Sequence, residues 1–563
     1  MTGVLLELDL TRGVLETPPA SPLAAFRARH LPTLRELVSA LRKGSRDDTV
    51  VGLVAHLGGP GLSLAQVQDL REAVADFRAS GKRAVAWSES FGEVGGGTVP
   101  YYLATAFDEI WVQPSGDLGI TGVSVQATFI RGALDKAGVI PQFGKRREYK
   151  TAVDTFTEKE MTGPAREMAS RLAESSYEQI VEGIAVRRGL EPAHVRELVD
   201  NAPLSADAGH AAGLVDSLGY RSDVYDALRK SLGETTPLLA ERYIRRGPRT
   251  LQEVRKNLPW PQKPVVAVIR ISGGISVGRN SGGGPLGGPG SGSDTIGAAL
   301  RAVADDDNVK AVVLRVDSPG GSYVASDAIR HEVLRLRATG RPVIASMGTV
   351  AASGGYFVAM PADVVVAQPG TITGSIGVLS GKGVVRDALG RIGISQQAVS
   401  QGKNARMNSA QEEFSPEQWE SLEETLDRIY ADFVAKAAHD RGLPEAELEA
   451  LARGRVWTGA DAHAHKLVDE LGGFEHALRL ACSRAGLDRD HISVVAAPHR
   501  NLLDRLRPPT TTEDLAASSK SPFSTDGLTA ATFSTDGLTT AVYTALGLPP
   551  AGTLTMPLTW RIS

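Results

Sequence analysis

Apolar runs and amphipathic stretches alternate through the second half of the chain. The apolar runs Val265–Ile271, Ala311–Val316 and Pro342–Ser346 predict three strands. Asp294–Ala304 and Ser326–Ala338 lie between them and predict helices, and a further short helix is predicted after Ser353. The order β–α–β–α indicates an α/β fold with a largely parallel sheet.

The same order of elements occurs earlier in the chain, and the sequence repeats with it. Asp47–Ser63 matches Asp306–Ser322, and Leu214–Asp216 matches Leu467–Asp469, with an offset of about 255 residues that drifts by a few positions. Loop insertions would produce such a drift. A period of this length indicates one domain copied once rather than a solenoid of short repeats. We therefore predict a tandem duplication.

The repeat and the shifts in composition divide the chain into four segments. We predict a first copy over residues 1–240, an Arg- and Pro-rich linker over 241–263, and a second copy over 264–500. The remaining residues, 501–563, are predicted to be a C-terminal tail. Towards the end of each copy lies a long, highly charged helical stretch, Pro164–Arg188 in the first and Pro416–Arg441 in the second.

Composition and charge remove several classes of function. The chain has 563 residues with 61 basic and 65 acidic side chains, so no global basic field indicates a nucleic-acid partner. The single cysteine, Cys482, excludes an intrachain disulfide framework and a CxxC redox site. No apolar run is long enough for a transmembrane helix, and the charged N-terminal residues Glu7, Asp9 and Arg12 are unlike a signal peptide. We expect a cytoplasmic or peripherally membrane-associated protein.

Glycine is concentrated in residues 272–293, between a predicted strand and a predicted helix. Glycines in that position can cradle phosphate groups, but the segment contains no GxxxxGK[ST] motif. We interpret it as a mobile surface loop.

A candidate nucleophile lies in the second copy. Ser353 follows a buried strand, has small neighbours in Ala352 and Gly354, and opens a short helix, which is a favourable setting for an attacking hydroxyl. A serine in this setting can equally be a simple helix cap. Histidine is the usual base for such a serine, but no histidine lies between His331 and His439. The other candidate base is a lysine made neutral by burial. We expect no metal ion or cofactor.

The two copies have lost complementary residues. Gly144–Ala152 aligns without gaps to Gly402–Ala410, and this places Asn408 opposite Lys150. In the first copy the position of Ser353 falls in an insertion, where Thr98 is the nearest residue in register. The serine is therefore kept only in the second copy and the lysine only in the first. This pattern predicts one site assembled from both copies.

Four linked motifs carry a family resemblance. They are Asp317–Ser322, Ala352–Tyr356, Thr373–Val378 and Tyr149–Val153. They occur in the expected order, and the similarity extends over nearly the whole chain. Together they resemble the long, duplicated form of the signal peptide peptidase A family, also called protease IV. The resemblance implies a Clp/crotonase-like α/β fold, a ββα superhelix, in each copy. Members of the long form commonly have an N-terminal membrane anchor, and this sequence shows none.

The resemblance also implies a serine–lysine dyad. By position, Ser353 is the nucleophile, Lys150 is the general base, and Ser375 supplies a hydroxyl that hydrogen-bonds the lysine. Gly320 corresponds to the glycine of the oxyanion hole. A tetrahedral oxyanion needs backbone N–H donors without side-chain bulk, and for that reason we add Gly354 as a second candidate donor.

The function expected from these features is that of a serine endopeptidase. Its substrates would be short hydrophobic peptides such as remnants of signal peptides, and its assembly a homo-oligomeric ring that encloses the sites. We expect no nucleic-acid partner, and peripheral contact with a membrane stays open. Two alternatives also stay open at this point: a crotonase-type acyl-CoA enzyme and a catalytically inactive scaffold of the same fold.

Overall fold

A computed structural model describes most of the chain. The described residues are 3–17, 26, 28–58, 61–93, 96–245, 263–281, 290–497, 511–512, 514, 553–555 and 561–562. Most of the predicted linker, the middle of the glycine-rich segment and most of the predicted tail therefore lie outside the described residues. The segment boundaries stay a prediction.

The first copy is built on a parallel six-stranded sheet. Its strands are β1 (Gly3–Asp9), β2 (Val50–His56), β3 (Arg83–Ser88), β4 (Glu109–Val112), β9 (Ser217–Leu218) and β10 (Thr235–Leu239). They pair in the order β10-β1-β2-β3-β4-β9. Four further short strands are β5 (Asp117–Leu118), β6 (Val125–Gln126), β7 (Ile140–Lys145) and β8 (Leu204–Ser205).

Helices cover this first sheet. They are α1 (Leu34–Arg46), α2 (Leu64–Arg78), α3 (Thr98–Ala104), α4 (Arg131–Ala137), α5 (Asp154–Thr157), α6 (Gly163–Arg188), α7 (Pro192–Asp200), α8 (Ala206–Ala211), α9 (Arg221–Leu232) and α10 (Ala240–Arg245), with a 3-10 turn at Thr151–Val153. Apolar side chains of the strands and of α1 and α2 form one buried core.

The second copy repeats the plan with a larger sheet. Its strands are β11 (Val265–Ser272), β14 (Val309–Ser318), β16 (Val343–Ala352), β17 (Val364–Ala367), β18 (Ile372–Gly374), β20 (Val456–Thr458), β21 (Glu470–Leu471) and β22 (Ser493–Ala497). The main path runs β20-β18-β16-β14-β11-β22, with β17 and β21 branching from β16. Every pairing in this sheet is parallel except that of β18 with β20.

The second sheet carries its own helices and core. The helices are α11 (Ser293–Asp305), α12 (Tyr323–Ala338), α13 (Gly354–Ala359), α14 (Arg386–Arg391), α15 (Pro416–Arg441), α16 (Glu445–Leu451), α17 (Gly459–Ala464) and α18 (Phe474–Arg484). Caps explain the bounds of α15, because Ser415 accepts a hydrogen bond from the backbone N–H of Gln418 and Gly442 ends the helix in the left-handed region. The described apolar side chains of this copy form two buried clusters, a larger one that includes α11, α12, α13 and α15 and a smaller one against α18.

The elements predicted from the sequence are present, with shifted ends. The predicted strand Pro342–Ser346 is longer in the structure, as β16 continues to Ala352 and ends one residue before Ser353. The glycine-rich segment 272–293 differs from the predicted loop at its described ends, which form β12 (Gly274–Ser276) and β13 (Gly290–Gly292). There, hydrogen bonding along the backbone stabilises extended strands that the composition alone does not reveal.

Three small pairings join distant parts of the described chain. Strand β19 (Leu379–Val384) of the second copy pairs antiparallel with β7 of the first. The described parts of the tail form β23 (Thr553–Thr555) and β24 (Arg561–Ile562), which pair with β15 (Gly320–Ser322) and β6. The strands β13, β12, β15 and β23 make one small sheet.

Within the described part of the chain, no helix is both long enough and apolar enough to cross a bilayer.

Candidate active site

The pairing of β7 with β19 brings Lys150 into the second copy. Lys145, the last residue of β7, lies opposite Leu379, and the chain then turns inward, where the backbone N–H of Tyr149 donates to the carbonyl of Arg453 at 3.1 Å. Lys150 follows directly and precedes the 3-10 turn. Two residues of the second copy therefore fix the path of the first copy at the point where it delivers its lysine.

Lys150, Ser353 and Ser375 lie together and are fully buried. The Nζ atom of Lys150 is 2.8 Å from Oγ of Ser353, and 3.0 Å from both the carbonyl oxygen and Oγ of Ser375. Burial alone holds the pKa of the Lys150 ammonium well below its usual value. In the described structure no carboxylate hydrogen-bonds this amine, so nothing opposes the effect of burial.

Ser353 has an unusual backbone conformation. Its φ is 55° and its ψ is −115°, a sparsely populated region for a residue with a Cβ. The residue sits between the end of β16 and the start of α13, and its N–H donates to the carbonyl of Gly374 at 2.8 Å. This sharp turn directs the serine side chain toward the lysine that arrives from the first copy.

The two predicted oxyanion-hole glycines lie in contact. A Cβ placed on Gly354 would be 2.8 Å from Oγ of Ser326, 3.0 Å from the backbone nitrogen of Gly321 and 3.2 Å from Cα of Gly320, all closer than ordinary contacts, so the close approach favours glycine. Gly320 has a φ of 112°, which also favours glycine. Its N–H donates to Oγ of Ser318 at 3.2 Å. Gly354 is the first residue of α13, where the N–H has no partner within the helix.

A supporting turn at 453–455 was not found from the sequence. Gly454 has a φ of 82°, and a Cβ there would lie 2.4–2.6 Å from the backbone nitrogen, Cα and Cβ of Lys150. The N–H of Ser375 donates to the carbonyl of Arg455 at 2.6 Å, and that of Gly454 donates to Ile376 at 2.7 Å. The turn therefore holds Lys150 and Ser375 at once. The only signal of this turn in the sequence was the presence of a glycine at position 454, whose positive φ is known from the structure.

The described positions that correspond to Ser353 in the first copy and to Lys150 in the second copy do not form a second dyad. Gly97 caps α3 as Ser353 caps α13, so the structure places a glycine rather than Thr98 at the position of Ser353. Thr98 follows it, is buried and accepts a hydrogen bond from the N–H of Gly122 at 3.1 Å. Asn408, which aligns with Lys150, is exposed. The complementary losses seen in the sequence thus correspond to one assembled pair.

A strained, buried serine in contact with a buried lysine, on an α/β scaffold, is characteristic of serine peptidases. The profile of the family described as "Peptidase family S49" matches this sequence twice, over residues 76–234 and 335–488. The chain belongs to peptidase family S49, a family of serine peptidases. The match to both halves, each with its own mainly parallel sheet, also confirms the predicted α/β class and the tandem duplication.

Individual relatives support the assignment. The chain is 32% identical over 465 residues to "Serine protease SPPA, chloroplastic" of Arabidopsis thaliana, covering 81% of this chain and 66% of the plant protein. It is also 32% identical over 512 residues to "Protease 4" of Salmonella typhi, covering 87% of this chain and 79% of that protein. Among solved structures, the 1510-N membrane-bound stomatin-specific protease with a substrate peptide matches with a TM-score of 0.27 and 18% identity, over 44% of this chain and 96% of its own.

Proposed function

We propose that this serine peptidase is an endopeptidase that uses a serine–lysine dyad. Ser353 is the nucleophile, Lys150 is the general base, and Ser375 orients the lysine. The observation that carries the proposal is the 2.8 Å contact between Lys150 Nζ and Ser353 Oγ in a fully buried setting. Burial favours the neutral amine, and a neutral amine can accept a proton from serine near neutral pH.

Burial favours the neutral form of the lysine, and the three contacts of its amine are compatible with that form. A neutral amine has two N–H groups and one lone pair, whereas an ammonium has three donors and no acceptor. Two donations to the carbonyl and hydroxyl oxygens of Ser375 leave the lone pair for the hydroxyl proton of Ser353. Lys150 takes that proton as Ser353 attacks a peptide carbonyl, and gives it to the departing amine. A water then repeats the cycle against the acyl-enzyme.

Backbone N–H groups stabilise the oxyanion in this proposal. The Gly354 N–H at the start of α13 is unpaired within its helix, and the Gly320 N–H exchanges its contact with Ser318 Oγ for the substrate oxygen. Both groups lie on glycines, Gly354 because a Cβ there would be crowded and Gly320 because its φ is positive. The N-terminus of α13 adds a favourable field for negative charge.

An extended peptide fits the strand edge beside the dyad. The strand β23 of the chain's own tail runs antiparallel along β15, with Thr555 opposite Gly320 and Thr553 opposite Ser322. An edge that accepts one extended main chain can accept another, which is the usual route for β-strand addition of peptides. This supports a peptide rather than a thioester as substrate.

The surroundings support apolar side chains in the substrate. An apolar cluster of both copies lies beside the dyad, with Met168 and Leu172 of α6 against Ala352 and Val456. We therefore propose short hydrophobic peptides, such as remnants of signal peptides, as the substrate class. We also propose that the chain assembles into a homo-oligomeric ring that excludes folded proteins. It has no nucleic-acid partner and makes at most peripheral contact with a membrane. Sedimentation of a pure monomer at micromolar concentration would count against the ring.

Single substitutions test the dyad. We expect Ser353→Ala and, separately, Lys150→Ala to abolish both hydrolysis of a peptide ester and labelling by a fluorophosphonate probe. Lys382→Ala is a matched control. Burial also lowers the pKa of Lys382, in its case to about 8, but its Nζ donates to the carbonyl of Met407 and not to a serine of the dyad. If either dyad variant keeps normal turnover, the mechanism is wrong. Turnover of acyl-CoA esters without peptide hydrolysis would favour the crotonase alternative.

A further inference from the structure

A cavity that no residue of the dyad lines lies where the two copies meet. It has about 800 Å³ of free space, including a mouth open to solvent. The first copy contributes α1 and α2 to its walls, and the second copy contributes β11, β14 and α18. Both acidic and basic side chains line it, so the pairing of these charges decides what the cavity can bind.

The carboxylates in the cavity already have partners. Glu16 accepts from the guanidinium of Arg315 at 3.0 and 2.8 Å, and Asp69 accepts from Arg315 at 3.3 Å. Glu475 accepts from Arg489, which lies outside the cavity wall, at 3.1 and 3.0 Å. Two further carboxylates are also engaged: Glu72 by the side chain of Gln368 at 3.0 Å and Asp76 by Arg479 at 3.5 Å.

Two arginines in the same wall have no such partner. Arg35 of α1 and Arg270 of β11 form no hydrogen bond and no ion pair with any described residue, although both are partly buried. Arg270 lies directly opposite Arg315 in the pairing of β11 with β14, so positive charges are neighbours here. Burial first, and the nearby Arg35 second, lower the pKa of Arg270, while the charge of Glu16 opposes this shift without a hydrogen bond. Burial likewise lowers the pKa of Arg35, and the charge of Glu475 opposes it. Each guanidinium keeps five N–H donors available in a fixed plane.

The rest of the wall is apolar. Leu34 and Val38 of α1 face the cavity from one copy, and Val268 and Phe474 from the other. Arg35 also lies over the ring of Phe474, with its guanidinium carbon 5.7 Å from the ring centre. The cavity therefore combines two unpaired cationic groups with an apolar surface, which suits a small molecule with an anionic end and an apolar body.

We propose that this cavity binds a small oxyanion ligand, whose carboxylate or phosphate group bridges Arg35 of the first copy and Arg270 of the second. The ligand contacts both copies, and so it favours the arrangement in which they are joined. The dyad needs the same arrangement, because Lys150 and Ser353 come from different copies. The strand β14, which holds Arg315 next to Arg270, also leads to the turn of Gly320.

Thermal unfolding of the full chain with defined anions tests the proposal without using activity. We expect inorganic phosphate or hexanoate at millimolar concentration to raise Tm by several degrees over sodium chloride of equal ionic strength. A larger effect of hexanoate identifies a carboxylate with an apolar body as the source, and a larger effect of phosphate identifies a phosphate group.

Three variants decide which residues hold the anion. Arg35→Gln and Arg270→Gln should each weaken the anion's apparent affinity at least tenfold. Both should keep the Tm of the wild type in anion-free buffer, since neither loses a hydrogen-bond partner. Arg479→Gln is the matched control, because Arg479 lines the cavity but faces Asp76. The apparent affinity of this variant for the anion should stay within twofold of that of the wild type. No stabilisation of the wild type, or equal stabilisation of Arg270→Gln, overturns the proposal.

Discussion

Replacing Gly454 by alanine perturbs the lysine without touching its side-chain chemistry. Gly454 is far from Lys150 in sequence but packs against its backbone, so a methyl group there would meet main-chain atoms rather than a flexible side-chain end. The nearest distance would be 2.4 Å, to the Lys150 backbone nitrogen. Because backbone atoms cannot rotate away, either the 453–455 turn or Lys150 itself must move.

The size of that movement follows from the contact distance. Ordinary contacts begin at 3.4 Å, so relief of a 2.4 Å contact requires a shift of about 1 Å (3.4 minus 2.4). A shift of this size would break the 2.8 Å contact between Lys150 Nζ and Ser353 Oγ. Misplacement of a catalytic group by about 1 Å lowers the rate by roughly 10². The left-handed backbone of residue 454 adds about 1–2 kcal/mol of destabilisation for any residue with a Cβ.

A matched glycine separates contact from backbone strain. Gly442 ends α15 with a φ of 62°, and a Cβ there would meet nothing within 4 Å. Gly442→Ala should therefore lose stability by a similar amount and keep its kcat. We would measure kcat/KM on a peptide ester and Tm for both variants. If Gly454→Ala stays within twofold of Gly442→Ala in kcat/KM, the turn does not position the lysine and our reasoning is refuted.

Three further predictions concern the same site. Lys150→Met should abolish turnover and stabilise the fold. The folded chain lowers the pKa of this lysine, so the unfolded chain binds more protons and wild-type stability rises with pH up to the unfolded value of about 10.4. Denaturant unfolding at several pH values should show the gap between variant and wild type closing over that window, and a constant gap would contradict it. Ser375→Ala should lower kcat only about tenfold, measured on the peptide ester, because the Ser375 carbonyl still accepts from Lys150 at 3.0 Å. A chain ending at Gly552 lacks β23 and should show a lower KM with unchanged kcat, whereas an unchanged KM would place the substrate elsewhere.

Much of the fold was predictable because its signals are local. Periodic apolar positions and caps define α15, whose predicted and observed bounds agree at Pro416 and Arg441. The pairing of Lys150 with Ser353 was also predicted, although 203 residues separate them. There the evidence was the complementary loss between copies together with the family resemblance, which relate two distant positions without any knowledge of their distance.

The rest depends on contacts that no local pattern encodes. Gly454 looks like any loop glycine until the chain of the first copy is packed against it. The pairing of β7 with β19 joins strands of different copies, and short strands of mixed polarity give little periodic signal. Arg35 and Arg270 likewise line one cavity only after the copies are joined, so the absence of a hydrogen bond from either to any described residue is a property of the interface.

The buried lysine itself gives a physical reason for a single shared dyad. Each pKa unit by which burial lowers an ammonium costs about 1.4 kcal/mol of stability near neutral pH, against a total of roughly 5–15 kcal/mol for a folded domain. Two complete dyads would impose that cost twice. With Asn408 exposed and Thr98 hydrogen-bonded, the second set of positions imposes none. Divergence of the copies thus removes one destabilising amine, and it makes the remaining site depend on their contact.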